Sequence, residues 1–249
     1  MGLNKAKGRM FKSVGWTWNP IAGCTHKCKY CWAKSLSDVY GRSFEPQFRE
    51  HYLKDKMPND GSWIFVGSMG DIGCEGVQSE WLSKLLDFIE NDTSNNIFLL
   101  QSKNPSIFYD KKQRLENIKN KIVLGTTLET TEETPWSRAP STFKRALNLA
   151  TMKQNYGFRT FLSLEPLSDF NLEKMMSFIE EIQPEAVEIG LENYTNHTTK
   201  PPEWKIVALI HWLKEQKIEY VLKENLEHLY NVGTDTVKSS QIGIDIQDG

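Results

Sequence analysis

Seven short apolar runs recur along the chain, each followed by a polar stretch and then a helical pattern. This alternation constrains the fold more than any other feature. The runs are Val14–Asn19, Trp63–Gly67, Ile97–Gln101, Ile122–Thr126, Thr160–Leu164, Ala186–Gly190 and Glu219–Leu222, all of strand length. Between them lie amphipathic segments. One begins near Ser79 and carries Trp81, Leu82, Leu85, Leu86 and Ile89. A second begins at Asn104-Pro105, an N-cap followed by proline at the first helical position. A third carries Leu172, Met175, Met176, Ile179 and Ile182, and a fourth follows Pro201-Pro202 with Ile206, Val207, Ile210 and Leu213. Shorter helices are expected over Trp32–Tyr40 and Ser141–Lys153. Strand–helix alternation implies an α/β chain with a parallel sheet and helical crossovers. Six or seven such units favour a partial (β/α) barrel, with a doubly wound open sheet as the rival.

No proline- or glycine-rich linker divides the 249 residues, so one domain is expected, with a basic extension over 1–12 and a polar tail over 231–249. Eight Trp, eight Tyr and twelve Phe are too many for a disordered chain. No apolar run reaches the ~18 residues of a membrane span. The basic start (Lys5, Lys7, Arg9, Lys12) lacks the apolar stretch of a secretory signal. The net charge is −2, unevenly spread. Residues 1–56 hold 11 basic and 4 acidic side chains, which makes them either a solvated face or an edge for an anionic partner.

Three of the four cysteines, Cys24, Cys28 and Cys31, fall within CTHKCKYC, spaced C-x3-C-x2-C. The sequence lacks the cysteine density of a disulfide scaffold. Three close thiolates bind soft metals. Zinc would need a fourth ligand, for which His26 and His51 are candidates. A [4Fe–4S] cube held by three cysteines would instead leave one iron open to another ligand. The first reading makes a zinc-stabilised module that binds nucleic acid without catalysis; the second makes either an enzyme or an electron-transfer protein, the latter needing a fourth cluster ligand for which Cys74 is the only spare thiol.

Every predicted strand ends in polar or charged residues. In chain order these are the cysteine loop, Ser68-Met69-Gly70-Asp71, Ser102-Lys103, Thr127-Leu128-Glu129, Glu165-Pro166, Glu192-Asn193 and Lys223-Glu224-Asn225. In a parallel barrel these ends share the face where active sites form. Loops are polar in any case, yet glutamates abutting apolar strand residues in FLSLEP and EIGLEN exceed that expectation.

The cysteine spacing after the first strand, with Tyr30 before the last cysteine, resembles the signature of the radical S-adenosylmethionine (SAM) superfamily. GWTWNPIAGC, FVGSMGD, GTTLET, SRAP, FLSLEPL, EIGLEN and VLKENL resemble a phage- and prokaryote-associated branch similar to spore-photoproduct-lyase-like proteins. The resemblance implies a [4Fe–4S] cluster on Cys24, Cys28 and Cys31, with SAM on the fourth iron. Reductive cleavage of SAM would then give a 5′-deoxyadenosyl radical that abstracts hydrogen from a substrate. It further implies an external one-electron reductant of the flavodoxin or ferredoxin type and a reducing cytoplasm. By position, Tyr30 matches the aromatic beside adenine. Ser68, Met69, Gly70 and Asp71 replace the glycine–glycine–glutamate segment that holds the SAM amino group. Thr127 and Glu129 stand where ribose-binding groups are expected. Glu165 is an acceptor for ribose or the amino group, and Gly190 allows adenine against the backbone. Cys74, three residues after Asp71, is a candidate hydrogen donor to a product radical, and Lys223 a candidate cation at the last strand end. The basic first quarter and the phage-type resemblance point to a nucleotide or nucleic acid as substrate; the slightly acidic whole opposes a long nucleic-acid track.

Overall fold

In the computed structural model, described over residues 2–8, 10–193 and 196–231, all seven expected strands form and pair in one sheet. The strands are β1 (Leu3–Lys5), β2 (Val14–Trp18), β3 (Ile21–Ala22), β4 (Gln47–Phe48), β5 (Trp63–Val66), β6 (Ile97–Gln101), β7 (Ile122–Thr127), β8 (Thr160–Leu164), β9 (Ala186–Ile189) and β10 (Glu219–Leu222). The helices are α1 (Trp32–Val39), α2 (Ser79–Asn91), α3 (Ser106–Asp110), α4 (Lys112–Asn117), α5 (Thr142–Tyr156), α6 (Leu172–Ile182) and α7 (Glu203–Glu215). The main sheet runs β1-β2-β5-β6-β7-β8-β9-β10. All its pairs are parallel except β1 with β2.

Parallel neighbours follow one another in chain order, with no reversal of direction across the sheet. A doubly wound sheet needs such a reversal, so the rival topology is ruled out. The sheet curls into a partial barrel. Two cores result, one on each face, because strand side chains alternate. Phe98, Leu100, Leu124, Leu162 and Leu164 point outward and join the helical residues Leu82, Leu85, Ile89, Met175, Ile179, Ile210 and Leu213. Leu99, Val123 and Phe161 point inward to a smaller core.

Phe11 completes that inner core. Its ring centroid lies 5.3 Å from that of Phe65 and 5.1 Å from that of Phe161. Phe11, Lys12 and Ser13, just before β2, thus lie against the concave face. They are anchored on β9, where the Lys12 and Ser13 N–H groups donate to the buried Glu188 carboxylate at 3.0 and 2.9 Å.

The helix patterns hold, with one correction. Asn104 does not cap a long helix: its amide donates to Gly73 O at 2.8 Å, Pro105 is the cap, and the helix breaks at Lys111 into α3 and α4. β1 and the antiparallel β3–β4 pair were not foreseen, the strands being two or three residues each. The polar tail after Asn231 lies outside the described residues. No helix among the described residues is long and apolar enough to cross a membrane.

Candidate active site

The strand ends converge on a cavity of about 420 Å³ whose wall includes Cys24, Cys28 and Cys31. Two glycines bring the loops together. Gly23 has a left-handed backbone (φ 86°), and a Cβ there would sit 2.2 Å from Glu45 O. At Gly70, a Cβ would sit 2.6 Å from Gly23 O. Their bare backbones zip the cysteine loop to the loop after β5 through Gly23 N–Met69 O (2.9 Å) and Asp71 N–Gly23 O (3.2 Å). On the other side, Lys29 N donates to Trp136 O at 2.9 Å and Arg138 N to His26 O at 2.6 Å. The SRAP segment therefore frames the cysteine loop.

Each cluster cysteine has a distinct setting. Cys31 caps α1, its sulfur accepting from Lys34 N at 3.4 Å. Burial pushes its thiol pKa up, against the pull of that N–H. The Cys28 sulfur lies 3.1 Å from Ser137 Oγ. The neighbouring Cys74 thiol, burial and the nearby Asp71 charge push the Cys24 thiol pKa up. A cation bound at Cys24 would have to displace this proton. Among the described residues, no three His, Cys, Asp or Glu side chains are gathered to hold a single ion. His26 faces Asp71, and His51 packs edge-on to Tyr52 at 4.3 Å. A four-iron cube seats each thiolate on a different iron, so its cysteines stand further apart than the ligands of one zinc.

Asp71 is nearly buried, and its oxygens are well supplied with donors. Oδ1 accepts from Gly73 N at 2.9 Å and Ser102 Oγ at 2.5 Å, and Oδ2 from Lys103 N at 2.8 Å. His26 Nε2 lies 3.3 Å from Oδ2. Burial opposes the charge, but His26, Ser102 and the Lys103 N–H outweigh it and hold the carboxyl below the usual range. Asp71 thus ties the second strand end to the third.

Cys24, Cys28, Cys31, Tyr30, Ser68, Gly70, Asp71, Thr127 and Glu165 all line the cavity. Met69, Glu129, Gly190, Cys74 and Lys223, also singled out in the sequence, do not. Met69 uses its backbone, with its N–H on Asn19 Oδ1 at 2.8 Å. Glu129 is fully buried, and its carboxylate is taken up by Arg145, Lys103 and the Tyr30 hydroxyl instead of facing ribose. Burial opposes its charge, yet Arg145 and Lys103 hold the carboxyl far below its ordinary range. Gly190 offers no open backbone, because a Cβ there would meet Lys223 Cγ at 2.7 Å and the Glu165 carboxyl carbon at 3.2 Å. Cys74 is buried next to Cys24 and is not part of the cavity wall. Lys223 lies 3.4 Å from both Glu165 Oε2 and Glu188 Oε2.

The sequence placed Lys103 only among the polar strand ends, and gave no role to Gln101, Ser163 or Arg145. Lys103 and Gln101 lie at a strand end and were legible by the same rule that marked Asp71. Lys103 stacks its ammonium 5.0 Å from the Tyr30 ring centre. Gln101 Nε2 donates to Thr127 Oγ1 at 3.0 Å, while Gln101 Oε1 and Ser163 Oγ are buried in the cavity wall with no protein partner. Such atoms are costly unless a ligand or water satisfies them.

Solved structures share this architecture. A spore photoproduct lyase variant aligns with TM-score 0.60 at 11% identity, covering 86% of this chain and 78% of its own. Another variant, with bound AdoMet and dinucleoside spore photoproduct, aligns at TM-score 0.56 and 11% identity, covering 76% of this chain. Streptococcus suis SuiB bound to S-adenosylmethionine aligns at TM-score 0.52 and 10% identity over 87% of this chain. The chain spans 60% of the AdoMet-bound lyase and 52% of SuiB. The partial barrel is of the radical SAM type. No curated protein matches the sequence. The profile of one family, described as "Protein of unknown function (DUF5131)", matches residues 11–225, and the chain belongs to that family.

Proposed function

We propose that the chain is a radical SAM enzyme in which Cys24, Cys28 and Cys31 hold a [4Fe–4S] cluster and the adjoining cavity binds S-adenosyl-L-methionine. When bound, this group supplies one electron for cleavage of SAM to methionine and a 5′-deoxyadenosyl radical, which takes a hydrogen atom from the substrate. The observation that carries the reading is the sharing of one cavity by three thiols and two unpartnered buried polar atoms, Gln101 Oε1 and Ser163 Oγ. Three soft donors suit iron better than a hard cation.

The wall residues complement such a ligand. The Lys103 ammonium and the Glu165 carboxylate offer opposite charges to an amino-acid end. Thr127, Gln101 and Ser163 offer hydrogen bonds to ribose hydroxyls. Met10, Phe11 and Phe65 form an apolar wall that keeps water from a reactive carbon. Glu129 does not touch the ligand; paired with Arg145, it positions the Tyr30 hydroxyl and Lys103.

For the substrate we propose a nucleotide or nucleic acid. Two observations support this: one lyase neighbour binds a dinucleoside photoproduct, and cations outnumber acids in residues 1–56. The reaction requires an external one-electron reductant, and the cluster a reducing cytoplasm. The test is anaerobic reconstitution with iron and sulfide, dithionite reduction and incubation with SAM, followed by assay of 5′-deoxyadenosine. Its formation supports the reading. Uptake of about one zinc, with neither iron nor SAM bound, refutes it.

A further inference from the structure

Helix α1 leaves the cysteine loop directly, with Cys31 as its cap, and its outer face is unusually apolar. Nine large apolar side chains are exposed among the described residues, and four of them lie within residues 32–40. Trp32 (44% exposed), Leu36 (40%), Val39 (79%) and Tyr40 (63%) follow the i, i+4, i+7, i+8 spacing of a single helical stripe. A stripe of this kind, left in water beside a functional site, marks an interaction surface. Trp32 also lines the cavity.

Cations outnumber acids over residues 27–42. Lys27, Lys29, Lys34 and Arg42 are exposed on the cysteine loop, on α1 and just beyond it, against a single acid, Asp38. Lys34 pairs with Asp38, and the Arg42 guanidinium lies 5.2 Å over the Tyr40 ring. The other cations flank the apolar stripe along the chain, and an apolar centre with a polar rim is the usual anatomy of a protein interface.

We propose that this face of α1 is the docking surface for an acidic one-electron donor protein; the inference rests on the reading that the cysteine site holds an iron–sulfur cluster. Electron transfer through protein weakens steeply with distance, so a donor must dock beside the cysteines. The α1 face starts at one of them. The donor loses one electron and the site gains one, so the transfer balances. A second copy of the chain would bring cations against cations. Single-stranded nucleic acid would gain nothing by stacking on Leu36 and Val39, which have no π-face. An acidic protein with an apolar centre matches both the charge and the stripe.

The test uses the full chain, reconstituted anaerobically, with two probes, a bacterial flavodoxin and a plant-type ferredoxin. Leu36 and Val39 lie outside the cavity wall, so Leu36→Glu/Val39→Glu leaves the candidate site intact; Arg42→Glu is a second variant. The double substitution is expected to weaken donor binding by about tenfold or more, and Arg42→Glu to reduce its salt dependence. Donor-supported 5′-deoxyadenosine formation should fall in parallel, while the dithionite-supported rate stays unchanged. Absence of salt-sensitive binding to either donor, or binding equal in wild type and both variants, overturns the proposal. So does tighter binding to anionic vesicles or to a single-stranded oligonucleotide that the same substitutions abolish. A wild-type protein that neither binds nor cleaves SAM after reconstitution refutes the enzyme reading; the binding titration still decides the docking surface.

Discussion

Glu129 Oε2 lies 2.5 Å from Arg145 Nη1, and both side chains are fully buried. The pair joins the end of β7 to helix α5, and Lys103 and Tyr30 extend it to the cysteine loop. The cavity therefore rests on an ion pair that does not itself line it.

Removing one member of this pair should be costly. Glu129→Gln leaves Arg145 buried without its counter-charge, and the expected loss of unfolding free energy is about 3–5 kcal/mol, measured by urea denaturation. Replacing both residues by apolar ones of similar size should cost less than either single change.

The same carboxylate sets an acid limit. Its pKa is depressed in the folded state, so its contribution is fully present above the unfolded value of about 4.3 and is lost as pH falls toward the folded one. Wild-type stability should decline with decreasing pH below about 4, and Glu129→Gln should flatten part of that decline. Equal slopes in the two proteins would remove Glu129 from the account.

Two cysteine substitutions separate ligand from neighbour. After anaerobic reconstitution, Cys28→Ser is expected to lose bound iron and sulfide, and Cys74→Ser to keep them. An intact cluster in Cys28→Ser would refute the ligand assignment. Loss in Cys74→Ser alone would make Cys74 a ligand and point to an electron-transfer protein.

Gly70→Ala places a methyl 2.6 Å from Gly23 O, a backbone atom with little room to yield. The expected cost is about 1–3 kcal/mol, together with poorer iron uptake as the cysteine loop shifts. Unchanged stability and iron content would show that the two loops need no close contact.

Ser163→Ala removes a hydroxyl that has no protein partner. Stability should change by less than about 0.5 kcal/mol or rise slightly, while SAM binding weakens. A large loss of stability would mean that the hydroxyl serves the fold and not a ligand.

The parallel strands and most helices were legible because local periodicity reports which faces are buried. Ser141 and Asn171 are caps of the expected kind for α5 and α6. The cysteine cluster and the polar strand ends were also legible, since each lies within a few residues of a predicted element. Cys24, Asp71, Thr127 and Glu165, far apart in the chain, reach one cavity because parallel strands bring all their C-terminal ends to the same side.

What tertiary structure alone decided are the pairings between distant segments. Glu129 looked like a ligand-facing acid until Arg145, from a helix surface, took its charge. Cys74 and Gly190 looked open until Cys24 and Lys223 filled the space beside them. Residues 1–12 were expected as a basic extension, yet within them Phe11 completes the inner core, and Glu188 holds Lys12 and Ser13 beside it. The sequence by itself determined the alternating elements and the chemistry carried at their ends, because those depend on neighbours a few residues away. Which polar groups remain free for a ligand depends on partners many residues distant, and only folding brings those partners together.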